Sequence, residues 1–142
     1  MRSQTRTESR REDEDMDELV AALRAAIDKD ERAARLAQDT DPSPWTLDYH
    51  GAFMHGIKNG KGHKLNSSGG LMESYTVRHI VRHDPARVLR RVAADREMLG
   101  DLLRDRHLVV EDCWGDPCTC GRDARVERRV RHLAEAYGVE TA

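Results

Sequence analysis

The chain has 142 residues, of which 35% are charged and 4% are aromatic. This length suits one modest domain, and the scarcity of aromatic residues predicts a small core built from aliphatic helix faces. The 24 Lys and Arg nearly balance the 26 Asp and Glu, which excludes a global positive field able to hold nucleic acid or an acidic membrane. Any anion binding must therefore be local.

The first fifteen residues differ in composition from the rest of the chain. They contain no apolar residue after Met1 and mix both signs of charge, so we predict a disordered charged tail over residues 1–15 and a single domain over residues 16–142. This tail also lacks the apolar segment of a secretory leader, and no stretch reaches the roughly 18 apolar residues of a membrane span. The sequence thus predicts a cytoplasmic protein with no membrane partner.

The first half of the chain predicts a long helix followed by a small sheet. Apolar residues recur at steps of three and four from Met16 to about Gln38, as on an amphipathic helix, and two prolines end it. Alternating apolar and polar residues then predict strands from Trp45 to about Leu65. Asn59-Gly60 is a pair typical of hairpin turns.

The second half predicts three helices. Ser74 is expected to cap a short helix, and Asp84-Pro85 is expected to start a long charged helix that continues to about Arg106. A strand is possible at 108–110, and the last helix is predicted over Asp123–Tyr137. The predicted fold class is α+β, with a long N-terminal helix, a small antiparallel hairpin sheet, a long charged helix and a C-terminal helix in one small domain.

Four features occur in order along the chain. They are the Pro44-Trp45 pair, a short hairpin, the segment RHIVRHDPARVLRRV at residues 78–92 within two helices, and a cysteine-bearing turn before RHLAEAYG. In these features the chain resembles a family of small uncharacterised proteins from actinobacteria and their phages, known only as a domain of unknown function. The likeness covers about Met16 to Tyr137, and its most specific part is His79 to Leu89. A looser likeness, to phage accessory proteins of the Ead/Ea22 type, rests on the Pro-Trp strand entry and the Asp-Pro helix start. The resemblance implies no activity, catalytic residue or cofactor.

Two histidines, His79 and His83, are four residues apart and project from one helix face, as in two-histidine zinc helices. Ile80 stands where the Glu of a His-Glu-x-x-His motif would be, and no third ligand is nearby, so a metalloprotease is unsupported. A structural role is favoured, with His83 capping or packing beside Asp84 and His79 half-buried.

The cysteines form a sharper candidate for a metal site. Three thiols within eight residues, with two histidines in the flanking sequence, would supply enough ligands for a closed tetrahedral structural zinc site. The candidate ligands are Cys113, Cys118, Cys120, His107 and His132. The C-x4-C-x-C spacing is not a common zinc knuckle, and free buried thiols or adventitious oxidation are the alternatives. The predicted cofactor is accordingly none, or one structural zinc ion.

A run of arginines raises the question of nucleic-acid binding. The candidate phosphate-facing residues are Arg78, Arg82, Arg87, Arg90 and Arg91. Acidic residues are interspersed along the same stretch, and no aromatic residue lies between the arginines to stack on bases. A solvated helix face laced with ion pairs is therefore favoured over a nucleic-acid surface.

The sequence contains no Gly-x-Ser-x-Gly elbow and no Cys–His–carboxylate set, so no catalytic residue and no small-molecule substrate are predicted. The leading hypothesis is a small cytoplasmic accessory protein of phage or mobile-element type that binds a protein partner or self-associates through its helices. One alternative is a nucleic-acid-binding regulator that uses the Arg78–Arg91 face. Another is a zinc-stabilised protein with an undetected enzymatic activity.

Overall fold

The structure is a computed structural model that describes residues 2–65, 71–106 and 120–140. This part of the chain contains four helices and three strands. In chain order they are α1 (Arg2–Thr40), β1 (Thr46–Tyr49), β2 (Met54–Lys58), β3 (Met72–Glu73), α2 (Ser74–Arg82), α3 (Pro85–Asp105) and α4 (Arg122–Ala136). The predicted α+β class, with its long helices and small antiparallel sheet, is confirmed. None of the described helices combines the length and the apolar character needed to cross a bilayer.

The contacts within the chain group into two compact units. Unit 1 contains the described residues up to Asp28 and from Ala94 onward, and unit 2 contains those from Lys29 to Ala93. Two sets of buried side chains form in the structure, one in each unit, and the single domain over residues 16–142 stays a prediction. Each of the long helices α1 and α3 supplies residues to both sets.

The charged segment, for which disorder over residues 1–15 stays a prediction, lies in helix α1 from Arg2 onward. Helix α1 begins at Arg2, and residues 11–15 are exposed. A lack of apolar residues prevents a segment from forming a core, but it does not prevent a helix. Arg and Glu have good helix propensity, and adding a turn to an existing helix costs far less than nucleating one.

Unit 1 is built from helices. Its buried side chains recur at three- and four-residue steps, as expected of helix faces turned toward a common core. They are Met16, Leu19, Val20, Leu23 and Ile27 of α1, Leu99 and Leu102 of α3, and Val126, Val130, Leu133 and Ala134 of α4. The hydroxyl of Tyr137 donates to Asp95 Oδ2 at 2.6 Å and so ties the end of α4 to α3. Gly138, with φ of +68°, follows α4 at the position where the sequence predicted its end.

Unit 2 contains the sheet, whose strand order is β1-β2-β3 with both pairs antiparallel. Leu47 lies opposite Ile57, and Tyr49 lies opposite His55. Helix α2 contacts all three strands, and its Val77 is fully buried. The β1–β2 hairpin closes through residues 50–53, whereas Asn59-Gly60 forms the turn after β2. The sequence did not predict β3.

The predicted start of α3 is confirmed, but the predicted cap at the start of α2 is not. Asp84 caps α3, because its Oδ1 accepts the Arg87 N–H at 2.8 Å, and Pro85 is the first helical residue as predicted. The predicted Ser74 cap of α2 is wrong. Ser74 is already helical, and its Oγ accepts a hydrogen bond from Arg78 Nε instead. The possible strand at 108–110 lies outside the described residues.

Candidate functional site

Residues 41–45, which connect α1 to β1, are held in place by hydrogen bonds at almost every position. Three of these bonds come from distant residues of the same chain. Asn59 Nδ2 donates to Asp41 Oδ1, Gly60 N donates to the Pro42 carbonyl, and Ala86 N donates to Ser43 Oγ. Ser43 N also donates to Gln38 Oε1. These bonds fix the connection before Trp45 against the start of α3 and the turn after β2.

Trp45 is anchored by the same connection. Its Nε1 donates to the Asp41 carbonyl at 2.8 Å, and its side chain is half-buried. Since the only polar atom of the indole is already bonded, the ring has a defined orientation. Trp45 therefore forms a rigid wall rather than a mobile surface side chain.

A cavity of about 330 Å³, here called the Trp45 groove, opens beside this ring within unit 2. Small residues of α1 face apolar residues of α3 across it. The lining consists of Ala33, Ala34 and Ala37 of α1, Pro85 and Val88 of α3, Trp45, and the polar residues Asp30, His83 and Arg91. Alanines on one wall leave space that larger side chains would fill, so the groove is open to a ligand.

A second cavity, here called the arginine depression, adjoins the groove. It is lined by His83, Arg87, Val88, Arg90 and Arg91, of which His83, Val88 and Arg91 also line the groove. The side chains of Arg87 and Arg90 are exposed and have no ion-pair partner in the described part of the chain. The depression is therefore a local concentration of positive charge.

The structure separates the five arginines of the predicted phosphate-facing strip into two groups. Arg87, Arg90 and Arg91 come together in the arginine depression. Arg78 and Arg82 belong to α2 and do not line it, and Arg78 is hydrogen-bonded to Ser74. The predicted ion pairs form in part, since Arg91 pairs with Asp30 at 2.9 Å and Arg96 pairs with Asp28, both across to α1.

Trp45 lines the same cavity as Arg91, which the sequence did not predict. No aromatic residue stands between Arg78 and Arg91, so the arginine run itself contains no sign of this neighbour. The fold instead supplies an aromatic ring from 33 residues before the first of them, because Ser43 caps α3 and so brings Trp45 beside His83. The Pro-Trp and Asp-Pro elements of the resemblance could have suggested this contact, because they meet at the groove.

Three exposed aromatic residues gather at one end of the sheet, here called the aromatic end: Tyr49, Phe53 and Tyr75. Tyr49 ends β1 opposite His55, and the two rings meet edge to face with centroids 4.9 Å apart. The Phe53 carbonyl accepts the Ser74 N–H, which places Phe53 beside the first turn of α2. His55 itself is buried, and its Nδ1 has no hydrogen-bond partner among the described residues.

A charged cluster centres on Asp48, which is buried in the β1–β2 hairpin. Lys58 Nζ lies 2.7 Å from Oδ1, and His50 Nε2 lies 2.8 Å from Oδ2. The hydrogen bond from Lys58, followed by that from His50, lowers the pKa of Asp48 from 3.8 to about 2. Lys58 lies on β2, whereas Asp48 lies on β1 and His50 directly follows β1, so these bonds hold the two strands of the hairpin together.

Comparison with known proteins gives a family. A family model described as a family of unknown function, DUF6221, matches residues 16–138. The chain belongs to the DUF6221 family. No curated protein and no solved structure matches the chain. The DUF6221 match includes the Trp45 groove, the arginine depression and the aromatic end.

The predicted metal ligands of this DUF6221 chain are only partly described. Cys113, Cys118 and His107 lie outside the described residues. Cys120 and His132 are both exposed, one just before α4 and the other within it. Residues 2–65, 71–106 and 120–140 contain no group of three or more potential metal ligands.

The two histidines at the joint of this DUF6221 chain lie close together. The rings of His79 and His83 have centroids 4.7 Å apart, and both are exposed, so the prediction that His79 is half-buried is wrong. His83 N donates to the Ile80 carbonyl at the end of α2, and its side chain lines the Trp45 groove. His83 thus takes the C-cap position of α2 through its backbone N–H, which is the capping alternative of the prediction, while its side chain is exposed.

Proposed function

We propose that this DUF6221 chain is a small accessory protein that acts in the cytoplasm by binding another protein through the aromatic end of its sheet. An origin in phages or mobile elements of actinobacteria is part of the proposal. Its support is the resemblance in the Pro-Trp strand entry and the Asp-Pro helix start, together with the charge-rich composition.

The observation that carries the proposal is the exposure of the aromatic end. Phe53 is 81% exposed, Tyr75 is 86% exposed and Tyr49 is 68% exposed. The chain has only six aromatic residues, and half of them lie here instead of in a core. Aromatic residues are enriched at protein interfaces and often dominate binding energy there, which makes this surface the best candidate for a partner.

The size of the surface favours a separate partner over an obligate dimer. Three aromatic side chains bury roughly 150–250 Å² each when fully covered. With their neighbours they approach the roughly 800 Å² per partner of an ordinary complex and fall well short of an obligate interface. We therefore assign the aromatic end to a different protein, and self-association is the competing outcome.

The test is site-specific photo-cross-linking in cells that naturally contain the protein. A photoreactive phenylalanine analogue at position 53 should capture one discrete protein, which should then bind the purified chain directly. The double variant Phe53→Ser/Tyr75→Ser should weaken this binding by more than about tenfold, because it removes two candidate hot-spot side chains.

Leu36→Ser is the matched control. Leu36 is also apolar and 69% exposed, but it belongs to α1 and not to the aromatic end, so its loss should leave binding unchanged. Equal weakening by both variants would overturn the assignment of this surface. Sedimentation experiments test self-association. If the wild type forms a dimer and Phe53→Ser/Tyr75→Ser abolishes it, the partner is a second copy of this chain.

A further inference from the structure

The Trp45 groove and the arginine depression share three lining residues and differ in chemistry. One is largely apolar with a fixed aromatic wall, and the other is positively charged. We propose that together they bind a nucleoside phosphate, either free or as an unpaired nucleotide of a nucleic-acid strand. This inference goes beyond the proposed protein-binding function and rests on a different surface.

The phosphate is assigned to the arginine depression. The guanidinium groups of Arg87 and Arg90 have no carboxylate partner in the described part of the chain, so their donors are available to an external anion. Arginine presents a planar fork of donors that matches two phosphate oxygens at once. His83 supplies a further nitrogen to the same depression.

The carboxylates close to the depression are already engaged. Asp84 accepts the Arg87 backbone N–H, and Asp30 pairs with Arg91. Between Lys29 and Ala93 the chain has 11 Lys and Arg against 7 Asp and Glu. The near-zero net charge of the whole chain therefore conceals a positive excess in unit 2, which attracts anions to this surface.

The planar group is assigned to the Trp45 groove. Its cavity of about 330 Å³ lies in the size range of small-molecule sites. The small side chains of Ala33 and Ala37 on α1 leave room for a planar group. The Trp45 ring is held by the hydrogen bond from its Nε1 to the Asp41 carbonyl. A fixed aromatic ring stacks on any base, so the site discriminates nucleotides from phosphate without reading a sequence.

The backbone N–H groups at the N-terminus of α3 do not supply the anion site. Ser43 Oγ and Asp84 Oδ1 already accept the N–H groups of Ala86 and Arg87. The helix N-terminus is thus closed by its own caps. Recognition of the phosphate depends on the arginine side chains, which makes it open to test by substitution.

The test compares three probes by titration at low salt: inorganic phosphate, adenosine 5′-monophosphate, and a labelled oligodeoxythymidylate of about 12 nucleotides. We expect the nucleotide to bind at least about tenfold more tightly than phosphate, since only it reaches the groove. An oligonucleotide that binds no better than the nucleotide would identify a free nucleotide as the ligand. Tighter, salt-dependent binding of the oligonucleotide would identify a nucleic-acid strand.

Variants separate a built site from diffuse attraction. Arg87→Gln/Arg90→Gln should weaken nucleotide binding about tenfold or more, and for the oligonucleotide it should lower the slope of log K against log salt by about 1 to 2. The control Arg32→Gln/Arg82→Gln removes the same charge from unit 2, at exposed positions outside both cavities. It should change nucleotide affinity less than about threefold.

Ala37→Leu tests the groove without altering Trp45. It should fill the cavity and abolish the preference for the nucleotide over phosphate, while circular dichroism shows an intact fold. Equal effects of the two arginine pairs would overturn the proposal. So would failure of the wild type to bind either nucleotide probe at millimolar concentration, or an Ala37→Leu variant that keeps the preference.

Discussion

Gly60 occupies a position where a single methyl group would meet backbone. A Cβ placed on it would lie 2.9 Å from the Ser43 carbonyl carbon and 3.1 Å from the Pro42 oxygen. Its own N–H donates to that Pro42 oxygen. Backbone atoms cannot swing aside as a flexible side chain can, so the turn after β2 and the connection before Trp45 approach this closely only with glycine.

Gly60→Ala should therefore lower the free energy of unfolding by about 2–4 kcal/mol, as for other substitutions that force backbone apart. Urea unfolding followed by circular dichroism measures the change. Gly100→Ala is the control, because Gly100 lies within α3 and its added methyl would meet only the flexible end of Arg104 at 3.5 Å. That variant should be neutral or up to about 1 kcal/mol more stable. A Gly60→Ala protein as stable as the wild type would contradict the close approach.

At the scale of elements, the β1–β2 hairpin depends on charge as well as on its ladder. Asp48 accepts from Lys58 and His50, which holds its pKa at about 2, below its usual 3.8. A carboxylate whose folded pKa is lowered stabilises the folded state above its unfolded pKa. This stabilisation is lost as the pH falls through the folded value, here between about pH 4 and pH 2.

Asp48→Asn should lower the melting temperature at neutral pH, because it removes the charge that Lys58 and His50 face. It should also flatten the loss of stability between about pH 4 and pH 2. Thermal unfolding across this range tests both effects. Asp39→Asn, at an exposed position on α1, is the control and should keep the acid limb of the wild type. An Asp48→Asn protein with an unchanged acid limb would refute the role of the cluster.

The elements themselves were largely readable from the sequence. The Asp84-Pro85 start of α3 and the Gly138 stop after α4 are local signals, set by backbone chemistry within a few residues. Strand β3 has only two residues and is defined by its pairing with β2. Two residues are too few to show the alternation of apolar and polar side chains that predicts a strand. The Trp45 groove depends on contacts between residues more than 40 positions apart, such as Ser43 with Ala86, which a linear pattern does not contain.

At the scale of the whole molecule, the aliphatic core is small, and we propose that a structural zinc ion adds to it. The proposal rests on the sequence alone, in which Cys113, Cys118 and Cys120 fall within eight residues and His107 and His132 flank them. A metal bound only in the folded state stabilises that state directly.

Protein purified without a metal-affinity column should contain about one zinc per chain by elemental mass spectrometry. Cys118→Ser should lose the metal and melt at a lower temperature, because the binding energy of zinc is folding energy. Thr119→Ser, which changes the neighbouring residue but leaves every thiol in place, should retain both the metal and the melting temperature. Metal-free wild-type protein whose melting temperature equals that of Cys118→Ser would contradict the zinc site.

Helices α1 and α3 each contribute residues to both units, which limits how recombination between genes can exchange parts of this protein. A fragment of residues 29–93 would begin and end inside helices, and each cut would leave backbone N–H or carbonyl groups without partners. Unit 2 is therefore not a module that recombination can move between genes. Insertions that lengthen the protein are tolerable in connections such as residues 51–52, between His50 and Phe53, where side chains are exposed and the backbone is not helical.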